Sequence, residues 1–172
     1  MRRPSQSPPG FSLIELLVVM AIMGLMVSLI NLSVGGSDGR RDALQDAATS
    51  LAGMMSIASS SAILRGEPIG MHWYAPDAMA QTGWRLDWSR WINGQWRKEA
   101  VRDLPEGVLP AGIEPMLEVE GGPVSLERAA ELPVLVFYPT GETTLFRLQL
   151  SMDTGDRVVI DNMRTGAIEL AP

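Results

Sequence analysis

The chain has 172 residues, 46% of them hydrophobic and 20% charged, with 20 acidic side chains against 14 basic ones and a formal net charge of −6. That is one modest domain's worth of sequence with enough apolar material for a real core, which excludes a disordered chain. The absence of cysteine excludes disulfide scaffolds, zinc ribbons and thiol nucleophiles, the single histidine, His72, excludes a multi-histidine metal site, and the acidic balance argues against a nucleic-acid partner.

Charge is unevenly spread from the start. Residues 1–10, MRRPSQSPPG, hold two arginines, three prolines and no acid, whereas residues 11–30, FSLIELLVVMAIMGLMVSLI, hold one charge, Glu15. Twenty residues at ~1.5 Å rise make ~30 Å of helix, the thickness of a hydrocarbon core, and the stretch reads as a membrane-spanning helix. A buried helix of a soluble domain is the bland alternative, but twenty nearly uncharged residues are hard to hide in so small a fold. An ordinary signal peptide has a 7–15-residue apolar run followed by a small-residue cleavage site. Here Gly10 precedes a longer run, and NLSVGGSDG follows it. An ionised glutamate in a membrane costs roughly 2.5–3.5 kcal/mol. Glu15 then has two readings: a positive partner enters its layer, or the side chain stays hydrated near the interface.

Gly10-Phe11-Ser12-Leu13-Ile14-Glu15-Leu16 resembles the class III signal of type IV pilins and type II secretion pseudopilins. The resemblance implies cleavage by a prepilin peptidase between Gly10 and Phe11, methylation of the new Phe11 amine, and retention of the apolar helix. It makes Glu15 the fifth residue of the mature chain, the position of the family's assembly glutamate. In a filament the amine of one subunit could meet the carboxylate of another in a low-dielectric layer, where their attraction offsets the cost of burial. Where pilins often carry a proline, at the twenty-second mature residue, this chain has Leu32. The implied organisation is a leader over 1–10, a transmembrane and assembly helix over 11–34, and a periplasmic domain over 35–172.

Beyond the glycine-rich Gly35-Gly36-Ser37-Asp38-Gly39, the residues Leu44, Ala48, Leu51, Met55, Ala58 and Ala62 recur at spacings of four and three, with Arg41, Asp42, Gln45, Asp46 and Thr49 on the other side. This predicts an amphipathic helix over about 40–64, ending near Arg65-Gly66, with small residues that allow close approach to a sheet. The rest, about 67–172, reads as a β-domain with strands at 68–74, 83–91, 95–101, 115–120, 133–138, 144–151, 156–161 and 166–170. Asn93-Gly94 suits a two-residue hairpin turn that sets Trp91 opposite Trp96. Trp84, Leu86 and Trp88 alternate onto one face. The tryptophans read as core or sheet packing, with a sugar-binding platform as the functional alternative. Residues 102–133 hold five prolines, four glycines and seven acids against two arginines. They predict a long, acidic, partly extended loop interrupted by a short strand, and their carboxylates lack the spacing of an EF-hand calcium site.

Val134-Leu135-Val136-Phe137-Tyr138-Pro139-Thr140-Gly141 leads through a type I turn into a second alternating strand, Phe146 to Leu150, and reads as a hairpin. The stretch is also similar to the C-terminal hairpin of the H-type minor pseudopilins, the GspH/FimT group. The resemblance implies an α+β, type IV pilin-like fold, in which a long N-terminal helix, membrane-spanning in its first half and amphipathic in its second, packs on a two-layer antiparallel β-domain. It implies a structural subunit of the type II secretion pseudopilus, in the inner membrane with its C-terminal domain in the periplasm, sitting between the tip complex and the major pseudopilin shaft. Its partners would be the prepilin peptidase and the other minor and major pseudopilins. No enzyme activity, cofactor, metal, nucleic acid or small-molecule substrate is expected, since His72 lies on a strand and Gly35-Gly36 and Gly121-Gly122 lack phosphate-loop spacing. Two other readings are a minor type IV pilin of the FimT kind that takes up DNA, and a membrane-anchored carbohydrate-binding module or enzyme. Removing the leader leaves 12 basic and 20 acidic side chains, or −8, which disfavours DNA.

Overall fold

A computed structural model of the protein describes residues 20, 37–76, 83–98, 104–126 and 132–171. Gly10, Phe11 and Glu15 lie outside the described residues, as does the 11–34 span apart from Met20. The chain divides into two units, residues 1–40 and 41–172, the second of them compact. The second unit carries the whole β-domain and the core beneath it.

The predicted amphipathic helix is α1, Ser37–Arg65. All six residues of its expected apolar face are fully buried, and all five of its expected polar side chains are exposed. The helix closes where the Gly66 N–H donates to the Ala62 carbonyl at 3.0 Å, a bond that satisfies one of the orphan carbonyls of the last turn.

Ten strands follow: β1 Ile69–Tyr74, β2 Arg85–Ile92, β3 Gln95–Arg97, β4 Gly107–Val108, β5 Ile113–Val119, β6 Gly122–Val124, β7 Leu135–Phe137, β8 Phe146–Met152, β9 Arg157–Asp161 and β10 Glu169–Ala171. They form two antiparallel sheets. The first has the order β3-β2-β1-β7, with β4 also on β2, and the second β10-β9-β8-β5-β6. Period-two alternation sends Ile69, Met71, Trp73, Leu86, Trp88, Leu135 and Phe137 from the first sheet inward. Ile113, Leu117, Phe146, Leu148, Leu150 and Ile160 come from the second, and both sets join the α1 face in one core. The α+β architecture expected from the sequence is the one observed.

Two expectations need correcting. Residues 102–133 hold more strand than expected: besides β5, which covers most of the expected 115–120 strand and pairs with β8 along seven residues, their described part contains β4 and β6. Two of the prolines mislead because they sit where a missing N–H is harmless. Pro115 lies on β5 beyond the reach of β6, which pairs only Leu117–Val119, and Pro123 lies on the edge strand β6. The 134–150 stretch is likewise not a simple hairpin. The turn is as expected, with the Gly141 N–H donating to the Tyr138 carbonyl at 3.0 Å. The strands it joins, however, go to different sheets: β7 pairs with β1, and β8 with β5 and β9. Only Thr143 and Thr144 face β7 directly, through a Phe137–Thr143 bridge and a Thr144 N–H bond to the Val136 carbonyl at 3.0 Å. Phe137 and Phe146 are both fully buried, so the chain crosses between sheets within nine residues to place both rings in the core.

Candidate functional site: the exposed faces of the helix and sheets

Among the exposed surfaces, that of the helix is the most informative. Away from the core, α1 presents Ser50, Gly53, Ile57, Ser60 and Leu64, a second stripe at helical spacing. Ile57 is 44% exposed and Leu64 86% exposed. Hydroxyls on and beside the stripe bond to the helix itself. Thr49 Oγ1 donates to the Gln45 carbonyl at 2.8 Å, Ser56 Oγ to Ala52 at 2.9 Å and Ser60 Oγ to Ser56 at 3.0 Å. The result is a smooth helix face of small and apolar groups, suited to lying against another helix. Gly39–Arg65 is even long and apolar enough to pass for a membrane span, but its inner face is taken up by the sheets.

The tryptophans divide into two groups. Trp73, Trp84 and Trp88 are buried, and Trp88 donates its indole N–H to the Pro105 carbonyl while Trp84 donates to Glu114 Oε2, both at 3.0 Å. Trp91 and Trp96 face each other across the Asn93-Gly94 turn as expected, with ring centroids 5.2 Å apart and planes at 64°. Both turn residues take the positive φ that this hairpin demands, 52° and 80°. Trp96 leans over Gly70, where an added Cβ would come within 2.9 Å of its ring. Edge-to-face rings braced on a strand make a packing pair rather than the flat platform on which a sugar stacks.

His72 is buried on β1, its Nε2 2.7 Å from Ser89 Oγ, a structural position consistent with the sequence reading. At the far end of the first sheet, Asp87 Oδ2 accepts the Tyr74 hydroxyl at 2.9 Å and lies 3.6 Å from Lys98 Nζ, which also donates to Tyr74 Oη. Burial pushes the Tyr74 hydroxyl above its ordinary pKa, and the bond to Tyr74 raises Lys98. Sequence reasoning passed over this cluster, since Tyr74 ends β1, Asp87 sits on β2 and Lys98 follows β3, and only the register of the three strands brings them together. No group of three or more His, Asp or Glu side chains that could hold a metal occurs among the described residues.

Residues 47–165, more than half of the chain, match the type II transport protein GspH family, and residues 9–31 match the prokaryotic N-terminal methylation motif. The chain belongs to the GspH family, the type II secretion minor pseudopilins. Among its relatives, type II secretion system protein H of Pseudomonas aeruginosa is 29% identical over 151 residues, which span 83% of this chain and 82% of that one. The Aeromonas hydrophila protein H is 26% identical over 167 residues, 91% and 86% of the two chains. The fold is that of the crystallised minor pseudopilin EpsH from the type II secretion system of Vibrio cholerae, with a TM-score of 0.59 at 21% identity over 76% of this chain and 94% of that one. The residues that match the methylation motif include Gly10, Phe11 and Glu15.

Proposed function

We propose that this pseudopilin is cleaved between Gly10 and Phe11 by a prepilin peptidase, methylated on the Phe11 amine, and held in the inner membrane by residues 11–34 with its C-terminal domain in the periplasm. It then joins a short fibre, between the tip subunits and the shaft, whose growth helps to export folded proteins. The observation that carries this reading is the two-faced helix α1. One face is fully committed to the β-domain. The other is charged in its first turns and, from Thr49 onward, small and apolar, with the Thr49, Ser56 and Ser60 hydroxyls bonded to the helix's own carbonyls, as a helix that packs against neighbouring pseudopilins requires. Glu15 fits as the residue that sets axial register, by meeting the Phe11 amine of a neighbour in a layer where an unpaired charge is costly.

The test is the mature N-terminus together with secretion. Mass spectrometry of the wild-type protein should show a chain that begins at methylated Phe11. Gly10→Val should leave the leader attached, because a branched side chain then stands where the peptidase must approach. A gene deletion complemented by the wild type, but not by Gly10→Val, should restore export. A mature N-terminus beyond Ile30 would mean an ordinary secreted protein and would sink the reading.

A further inference from the structure

A groove of about 500 Å³ runs between the N-terminal part of α1 and the strands β9 and β10. Its polar rim holds Arg41, Gln45 and Arg157, and its apolar floor includes Leu44, Val158 and Leu170. Both arginines are exposed. Among the described residues, neither is ion-paired. Asp156 also lines the groove, but its carboxylate accepts Thr154 Oγ1 at 2.8 Å and pairs with neither arginine. Two guanidiniums against one carboxylate give this concavity a positive balance, out of character for a chain of net charge −6. They sit above an apolar floor, a pairing of chemistries that a free inorganic anion would use only in part.

We propose that this groove binds the headgroup phosphate of an anionic phospholipid, with Arg41 and Arg157 as its ligands and the apolar floor against the glycerol and upper acyl chain. The inference rests on the reading of residues 11–34 as a membrane segment. Ile30, the last residue of the apolar run, is eleven residues from Arg41. That separation is about 17 Å if helical, and at most about 40 Å if fully extended. A tether of that length allows the groove to reach the bilayer surface, where a guanidinium recognises phosphate by a planar two-pronged hydrogen bond. A carboxylate on a neighbouring subunit could satisfy the same charges, but it would leave the apolar floor without a matching group.

The experiment uses the full-length chain in nanodiscs of phosphatidylcholine with or without phosphatidylglycerol. Hydrogen exchange at residues 156–159 and 170–171 is read alongside the enrichment of phosphatidylglycerol among co-purified lipids. The expected result is slower exchange and enrichment with the anionic lipid only, reduced about fivefold by Arg41→Gln and by Arg157→Gln, and little changed by Arg40→Gln, which removes the same charge outside the groove. Unchanged protection of β1 in each variant would show that the fold is intact. An equal loss in Arg40→Gln would reduce the effect to general surface charge and overturn the proposal. Equal protection by inorganic phosphate in phosphatidylcholine discs, or protection that needs a second pseudopilin instead of the lipid, would also overturn it. A chain that stays in carbonate-washed membranes yet shows no preference for phosphatidylglycerol defeats the groove alone. A chain extracted by carbonate defeats the membrane reading and the groove together.

Discussion

The carboxamide of Asn162 accepts the backbone N–H of Phe146 at 2.8 Å and donates to the Thr144 carbonyl at 3.1 Å. Asn162 is buried, and it ties down the backbone at the step where the chain leaves β7 and enters the second sheet. Asn162→Ala strands a buried N–H and a carbonyl, at a cost of about 1–3 kcal/mol. The measurement is urea unfolding of residues 35–172, which should fold without detergent because residues 41–172 form a compact unit with their own core. A fragment that gains circular dichroism only in lipid, or an Asn162→Ala midpoint equal to wild type, would count against this role.

Replacement of Ile57 and Leu64 by glutamine should leave the domain folded, since both point away from the core. Crosslinking to other pseudopilins in membranes should nevertheless fall about tenfold, because burying one such side chain is worth about 1.5–3 kcal/mol. Wild-type crosslinking would mean that this stripe faces water in the fibre.

Glu15→Leu should leave processing and insertion intact, and it makes the apolar run more apolar still. Assembly and secretion should drop, because losing one partner of a buried ion pair costs roughly 3–5 kcal/mol. Glu15→Asp should fall between, keeping the charge but shortening its reach. Normal crosslinking and secretion in Glu15→Leu would instead identify a hydrated interfacial glutamate.

Alkaline pH should loosen the end of the first sheet. Tyr74 and Lys98 both titrate above their ordinary values of 10.0 and 10.5, Tyr74 chiefly through burial and Lys98 through its bond to Tyr74. Each group holds its proton more tightly when folded. The stabilisation is therefore complete below the ordinary pKa and is lost as pH rises through the folded one. The unfolding midpoint of residues 35–172 should fall as pH rises above the ordinary values of 10.0 and 10.5, and Tyr74→Phe should flatten part of that slope. An identical slope in the variant would place the alkaline sensitivity elsewhere.

Local patterns in the sequence carry much of this fold, and pairings across the chain carry the rest. The six-residue stripe from Leu44 to Ala62 is legible because helical spacing alone decides which side is buried. Asn93-Gly94 is legible because its residue types announce positive φ. The matching turn at Glu120-Gly121, with φ of 51° and 83°, is not, because glutamate gives no such signal and the position is imposed by the β5–β6 register. Alternation in Phe146, Leu148 and Leu150 shows which side of a strand is inward, but not which sheet the strand joins, so the split of β7 from β8 is invisible before the core is assembled. The methylation motif is clear as sequence because its residues are contiguous, whereas the groove of Arg41 and Arg157 depends on residues more than a hundred positions apart.

The short connection Gly66-Glu67-Pro68 hands α1 directly to β1, an interior strand flanked by β2 and β7. Arg90 of β2 grips Glu67 at that junction through Nε and a terminal nitrogen, at 2.9 and 2.6 Å. Mechanically, the helix is a shaft keyed into the middle of a plate. A thrust along α1 is shared by two ladders, six residue pairs with β2 and three with β7, so the load spreads across the sheet and is not concentrated on a single peelable edge.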